Sequence, residues 1–172
     1  MTTNAANLLG ALATAISTQI DAQASAAGGR SSKASAGLVA ILNHPDESID
    51  RLRRTLALTH SGTVRLINGL VEESLVERRQ SKSDGRSAVL RLTKAGKQRA
   101  NRILRARAEV TEATLDGLSE RELASLTPIL ESALRRLTTD ADSARRICRL
   151  CDERLCRPEG CPVEQAASEP TP

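Results

Sequence analysis

Four cysteines occupy fourteen residues near the end of the chain, as Cys148-x2-Cys151-x4-Cys156-x4-Cys161, and the 172-residue sequence has no others. Thiols this close together cannot tie distant elements as spread disulfides do, so the spacing points to metal ligation or redox chemistry. Tetrahedral zinc on four thiolates is the first expectation, with Arg145, Arg146, Arg149, Arg154 and Arg157 nearby to offset its negative charge. An iron-sulfur cluster is the second, because Cys161-Pro162 matches the Cys-Pro ending of ferredoxin-type runs, although the internal spacings differ. A metal-free thiol switch, activated by the same arginines, is the third.

The other residues with chemistry to offer are polar and basic side chains between Thr59 and Thr93. Thr59 suits a helix N-cap, and Thr63, Leu66, Ile67 and Leu70 then form one apolar stripe, leaving His60, Ser61 and Arg65 off it. After Leu75 the period becomes two. Val76–Gln80 and Ala88–Leu92 read as strands, joined by a polar turn with Lys82, Asp84, Gly85 and Arg86. A helix followed by a basic-tipped hairpin is a winged helix-turn-helix, in which the helix enters the DNA major groove and the hairpin reaches the minor groove. His60, Ser61 and Thr63 sit where first-turn side chains reach base edges, although Thr63 also lies on the apolar stripe. Arg65, one turn deeper, can take guanine or a phosphate. Arg86 at the wing tip suits a narrow minor groove, and Lys82, Arg78 and Arg79 suit phosphates.

Composition agrees with a polyanion partner and excludes others. Residues 30–107 carry 17 Lys and Arg against 7 Asp and Glu, whereas residues 108–172 carry 8 against 13. The basic excess therefore coincides with the winged segment, as a nucleic-acid footprint requires. Phe, Tyr and Trp are absent. The core must be aliphatic, which favours helix-on-helix packing, and stacking on unpaired bases is ruled out. No apolar run reaches the ~20 residues of a membrane span, and no basic start marks a signal peptide, so a cytoplasmic protein without membrane contact is expected. No Ser-His-Asp, Cys-His, paired-carboxylate or glycine-rich phosphate constellation appears, so an enzyme is not expected.

The positioning elements follow from periodicity and punctuation. A helix from Leu8 to about Ala26 has a thin apolar face of Leu9, Leu12, Ile16 and Ile20, and needs a partner from the chain or from a second copy. Lys33–Asn43 is a second helix, ended by His44-Pro45. Ser48 caps a third over 49–56, and Ala57-Leu58 turns into the groove helix at 60–74. Thr93 caps a long helix to about Leu115. Ser119 and Glu122 form a capping box for another through Leu123, Leu126, Leu130, Leu134 and Leu137, which Pro128 should kink or break. A short helix from Asp142 to about Leu150 leads to the cysteines.

This order of elements resembles the MarR (multiple antibiotic resistance regulator) family of bacterial transcription factors over residues 8–138. The resemblance rests on LTHSGTVRLINGLVEESLVERR, on Asp84-Gly85-Arg86 in the wing, and on Ala-Val-Leu-Arg-Leu-Thr at 88–93 followed by Lys-Ala-Gly at 94–96. It implies a mainly α fold with a small β-hairpin wing and an obligate homodimer, whose terminal helices interlock above two modules on a pseudo-palindromic operator. It also implies that Asp84 braces the wing, and that a small-molecule effector, if there is one, meets an aliphatic pocket. Arg53, where the family usually has a small residue, and Ala57, in place of a turn Gly, depart from the pattern. The cysteine segment is outside it, but resembles a zinc knuckle with Cys156 in the His position and Leu155 where Gly is usual.

The expected layout is a disordered 1–7, a winged domain over 8–139, a cysteine segment over 140–164 and a disordered 165–172. Within the winged domain the DNA-binding core is 34–93, and the dimerisation helices are 8–27 and 94–139. The expected function is a DNA-binding transcriptional regulator, a repressor, responsive to metal or redox state through the cysteines. The rival from another class is a metal-dependent protein-interaction module on a winged-helix scaffold.

Overall fold

The computed structural model describes residues 3–28, 31–81 and 88–168. Its helices start where side-chain oxygens can accept first-turn amides. Thr3 accepts from the Ala6 amide at 3.2 Å and opens α1 (Asn4–Ala26). Residues 4–7, expected to be disordered, are therefore helical: one hydroxyl moves the start four residues upstream of the first leucine. Ser31 opens α2 (Ser32–Asn43), and Ser48 opens α3 (Ile49–Leu56). Thr59 opens α4 (His60–Glu72), and Thr93 opens α5 (Lys94–Leu115).

The hairpin strands β2 (Val76–Gln80) and β3 (Ala88–Leu92) pair antiparallel, from Val76 opposite Leu92 to Gln80 opposite Ala88. A third strand was not expected. β1 (Glu47–Ser48) adds to the other edge of β3, with Glu47 opposite Leu90, giving the order β1-β3-β2. Two residues carry no alternation, so nothing in the sequence could announce this strand. The pairing depends instead on Asp46, whose left-handed backbone (φ 66°) follows Pro45 and whose amide donates to Leu90 O at 2.9 Å.

The core is aliphatic, as a chain without aromatic residues requires. Leu38, Val39 and Ile41 of α2 pack with Leu52 and Leu56 of α3, Ile67 and Leu70 of α4, Leu90 and Leu92 of β3, and Ile103 and Leu104 of α5. Each such side chain contributes about 1.5–3 kcal/mol on leaving water. At the base of the hairpin, α5 touches the chain just before β2. Thr93 donates its amide to Leu75 O at 3.0 Å and its hydroxyl to Ser74 O at 2.7 Å. A Cβ at Gly96 would lie 2.0 Å from Leu75 O, so only glycine allows this approach.

α6 (Glu120–Leu137) begins with the expected Ser119/Glu122 capping box and continues through Pro128 as one helix, so of the kink or break expected there the break does not occur. None of its residues is buried, and Ile129 (64% exposed) and Leu137 (67%) face outward. α1 packs on α5 but leaves Leu8, Leu9 and Leu12 exposed.

The C-terminal region holds three short helices. Asp140 and Ser143 form a capping box for α7 (Ala141–Cys148). Neither α8 (Glu153–Cys156) nor α9 (Pro162–Ser168) was expected. The start of the tail expected to be disordered, residues 165–168, is thus helical. Pro162 sits in the first turn, where it lacks no needed donor, and Val163 is 2% exposed. Among the described residues no helix is long and apolar enough to cross a membrane.

Candidate nucleic-acid interface and thiol cluster

The turn between α3 and α4 is set by Ala57, in the left-handed region at φ 49° and ψ 52°. The amides of Ala57 and Leu58 close it onto Arg54 O and Arg53 O at 3.2 and 3.1 Å. This glycine-like conformation aims the first turn of α4 away from the core. Thr59 Oγ1 accepts from Gly62 N at 3.1 Å and lies 3.4 Å from Ser61 Oγ. His60 and Ser61 in that turn, and Arg65 one turn further along α4, are exposed. Arg65 has no ion-pair partner among the described residues.

Thr63 is a correction. It is fully buried, and its hydroxyl donates to Thr59 O at 2.9 Å, so it packs the helix inward and cannot reach a groove. The stripe position outweighed the first-turn position.

Arg78 and Arg79 are exposed on β2, with different ties. Arg78 Nη2 donates to Asn68 Oδ1 on α4 at 2.6 Å, joining the groove helix to the wing, while Arg79 Nη2 donates to Glu77 Oε1 at 2.6 Å. Asn68 was missed by the sequence reading, although its place one turn beyond Arg65 was a usable signal. The wing residues Lys82, Asp84 and Arg86 lie outside the described residues.

Arg53 points outward and donates to Asp50 Oδ1 at 2.8 Å. That hydrogen bond, with the charges of Arg53 and Arg54, holds the Asp50 carboxyl below its ordinary range. On the central strand β3, Arg91 pairs with Asp46, and that hydrogen bond raises its pKa further.

The four cysteines come together at the ends of α7, α8 and α9. All are free thiols, Cys161 buried and the others half-buried. A hydrogen bond to Cys151, then burial, pushes the Cys148 thiol far above the usual range. The same bond, helped by Arg107 and Arg149, lowers Cys151 to about 7. Burial and the neighbouring Cys161 thiol raise Cys156 to about 11. Among the described residues no three His, Cys, Asp or Glu side chains are arranged to hold a single metal ion.

This segment is docked on the winged module. Asn43 Nδ2 donates to Cys151 O at 2.9 Å, and His44 Nε2 meets Glu153 Oε1 at 2.7 Å, both side chains 13% exposed. Burial alone would raise the Glu153 pKa, but the His44 hydrogen bond and the charges of His44, Arg157 and Arg145 hold it below the ordinary carboxylate range. Arg145 donates to Glu47 of β1 at 2.7 Å, and Arg51 of α3 donates to Asp142 at 2.9 Å. On its other side α9 packs on α6, where Arg135 hydrogen-bonds Gln165.

Residues 36–87 match the model of the MarR family. The fold is similar to solved structures of that architecture. YusO of Bacillus subtilis is 19% identical at a TM-score of 0.63, covering 73% of this chain and 88% of that one. FabT of Streptococcus pneumoniae, solved in complex with DNA, is 24% identical at 0.64, covering 76% and 96%. MepR, a transcription regulator of the Staphylococcus aureus multidrug efflux pump MepA, is 17% identical at 0.66, covering 76% and 96%. A comparison with curated protein sequences gives no match.

Proposed function

We propose that this chain, whose residues 36–87 match the MarR family model, is a cytoplasmic MarR-like transcriptional repressor that binds a pseudo-palindromic operator as a homodimer. The observation that carries the reading is the α3–α4 pair with its hairpin: a core-buried rear face, and His60, Ser61 and Arg65 exposed on the front. Arg65 reads a base edge or holds a phosphate from the centre of α4. Asn68 and Arg78 keep the wing at a fixed distance from it. Arg86 extends the contact into the minor groove, and Lys82 holds a phosphate.

The homodimer is supported by surface that a lone chain leaves in water. Leu8, Leu9 and Leu12 on α1 and Ile129, Leu130 and Leu137 on α6 are between 46% and 67% exposed. Apolar side chains gathered on two terminal helices mark an association surface, and a twofold copy supplies the second module at a fixed half-site spacing.

Full-length protein presented with a random duplex library should select a pseudo-palindrome, bound in a salt-dependent manner. Arg65→Ala and Arg86→Ala should each weaken binding, and each lost phosphate contact should reduce the slope of log affinity against log salt by about 1. Unchanged affinity and slope in both variants would refute this docking. Failure to select any sequence would favour the rival scaffold reading.

A further inference from the structure

A cleft of about 810 Å³ opens between α5 and α8, within the size range of small-molecule sites. Gln98, Asn101, Arg105 and Ala108 stand at i, i+3, i+7 and i+10, so one face of α5 forms its floor. Arg102 follows Asn101 by one position and Arg107 precedes Ala108 by one, which places them on opposite flanks of that face. Asp152, the N-cap of α8, forms the other wall with Arg154 and Leu155.

Four arginines therefore face one carboxylate, and that carboxylate is taken. Arg154 donates Nε to Asp152 Oδ1 at 2.8 Å and Nη2 to Asp152 Oδ2 at 2.7 Å, and its Nη2 reaches across to Asn101 Oδ1 at 3.4 Å. The side chains of Arg102, Arg105 and Arg107 have no hydrogen-bond or ion-pair partner among the described residues. Arg99, one turn earlier on α5, differs: it reaches Gly28 O at 2.8 Å and Glu73 at 3.2 Å. The next acidic residues of α5, Glu109 and Glu112, lie outside the cleft. Arg107 is half-buried, where an unmatched charge is costly. A cleft lined by one sign of charge focuses the field and concentrates counter-ions.

What it selects follows from its spacing and lining. Arg102 and Arg107 are five residues apart, about 7.5 Å along the helix axis, so these guanidiniums are matched by two or more anionic groups spread over a similar length. Guanidinium forks take phosphate and carboxylate oxygens alike. Apolar lining is confined to Leu104, Ala108 and Leu155, and the chain has no aromatic side chain to stack on a ring. Charge number, not an apolar body, decides the ligand.

We infer that the α5–α8 cleft binds a compact polyanion, a small molecule with two or more phosphate or carboxylate groups, held by Arg102, Arg105 and Arg107 opposite Arg154. The site uses α8, beyond residues 36–87 that match the family model, and it does not depend on the DNA-binding reading. A polyanion seated there bridges two cationic walls and so draws α8 onto α5.

The test titrates inorganic triphosphate and citrate into the full chain by calorimetry, without DNA and at one fixed ionic strength, with orthophosphate and acetate as references. At least one of the two should bind once per chain and at least tenfold more tightly than its reference, and the tighter one assigns phosphate or carboxylate chemistry. Arg105→Ala/Arg107→Ala should weaken that binding at least tenfold. Arg102→Gln/Arg105→Gln takes its place if circular dichroism shows the first variant unfolded. Arg65→Ala, on the groove helix, should leave it within twofold. Equal affinities for polyanions and references would overturn the site, leaving a merely charged surface. Binding lost in Arg65→Ala but kept in the cleft variants would also overturn it, by putting the anion on the groove-facing helix. A cleft variant that loses duplex DNA affinity as steeply as polyanion affinity would overturn it as well, because the cleft would then be a DNA backbone contact. Polyanion binding is read without DNA, so failed operator selection and a failed anion site are separate results.

Discussion

Gly96→Ala puts a methyl group where the structure has a backbone oxygen. The added Cβ would lie 2.0 Å from Leu75 O, against the 3.0 Å that real Cβ contacts respect. The first turn of α5 must therefore retreat from the base of β2 by about 1 Å, as overpacking of this kind costs about 1–3 kcal/mol. The retreat also stretches the Thr93 bonds to Leu75 and Ser74, worth about 1 kcal/mol. Alanine returns about 1 kcal/mol through helix propensity. The net loss is about 2 kcal/mol, or a melting temperature lowered by about 4–8 °C for a chain of this size.

Gly37→Ala is the matched control, because its Cβ would meet Leu56 and Leu66 at an ordinary 3.6 Å. That variant should be more stable by about 0.5–1 kcal/mol. The assay is thermal and urea unfolding at one fixed protein concentration, since a dimer's melting point depends on it. A Gly96→Ala protein as stable as the parent would refute the close approach. Two variants with the same sign would refute the argument from local space.

Three further outcomes follow from the geometry. Ala57→Gly relieves a left-handed alanine at the α3–α4 turn and should stabilise by about 1 kcal/mol, seen as a higher urea midpoint with an unchanged slope. Ile129→Glu/Leu137→Glu places charge on the exposed apolar side chains of α6, and light scattering should show the mass of a single chain while circular dichroism is unchanged. Cys151 is lowered to about 7, whereas Cys148 and Cys156 are raised. Thiolate grows as pH rises through that value, so alkylation mapped by mass spectrometry should mark Cys151 first, half-maximally near pH 7. Equal rates at all four thiols would contradict it.

Elements with a local cause were legible in the sequence. Alternation alone placed β2 and β3 at the residues observed, and the hydroxyls of Ser48, Thr59, Thr93 and Ser119 placed four helix starts. Elements whose cause is tertiary were not. β1 exists because Asp46 reaches Leu90 across 44 residues, and α9 is anchored by a buried Val163 and by α6. Thr63 shows the intermediate case: two local rules, first-turn position and apolar stripe, gave opposite answers, and packing decided between them. The exposed front of α4 was legible. Its brace, Asn68 to Arg78, needed the strand register before the two could be seen to meet.

The docking of the cysteine segment was the least legible feature, because His44 and Glu153 stand 109 positions apart. It also changes where a signal would act. From the sequence the segment was expected only to follow the last dimerisation helix. In the fold it lies between α6 and the sheet and helix of the module itself, through Glu47, Arg51 and Asn43. These ties are modest. The Arg51–Asp142 and Arg145–Glu47 pairs are about a third exposed, so each is worth at most about 1 kcal/mol. His44–Glu153, more deeply placed, is the strongest single tie. A strap held by a few such contacts can be released by a change worth about 1–3 kcal/mol, the usual size of a coupling between sites. His44→Ala, which removes the strongest tie and none of the thiols, should therefore loosen the segment, seen as faster amide hydrogen exchange in α7 and α8 with exchange in α4 unchanged. Unchanged exchange in α7 and α8 would show that the segment is held through α6 and not through His44.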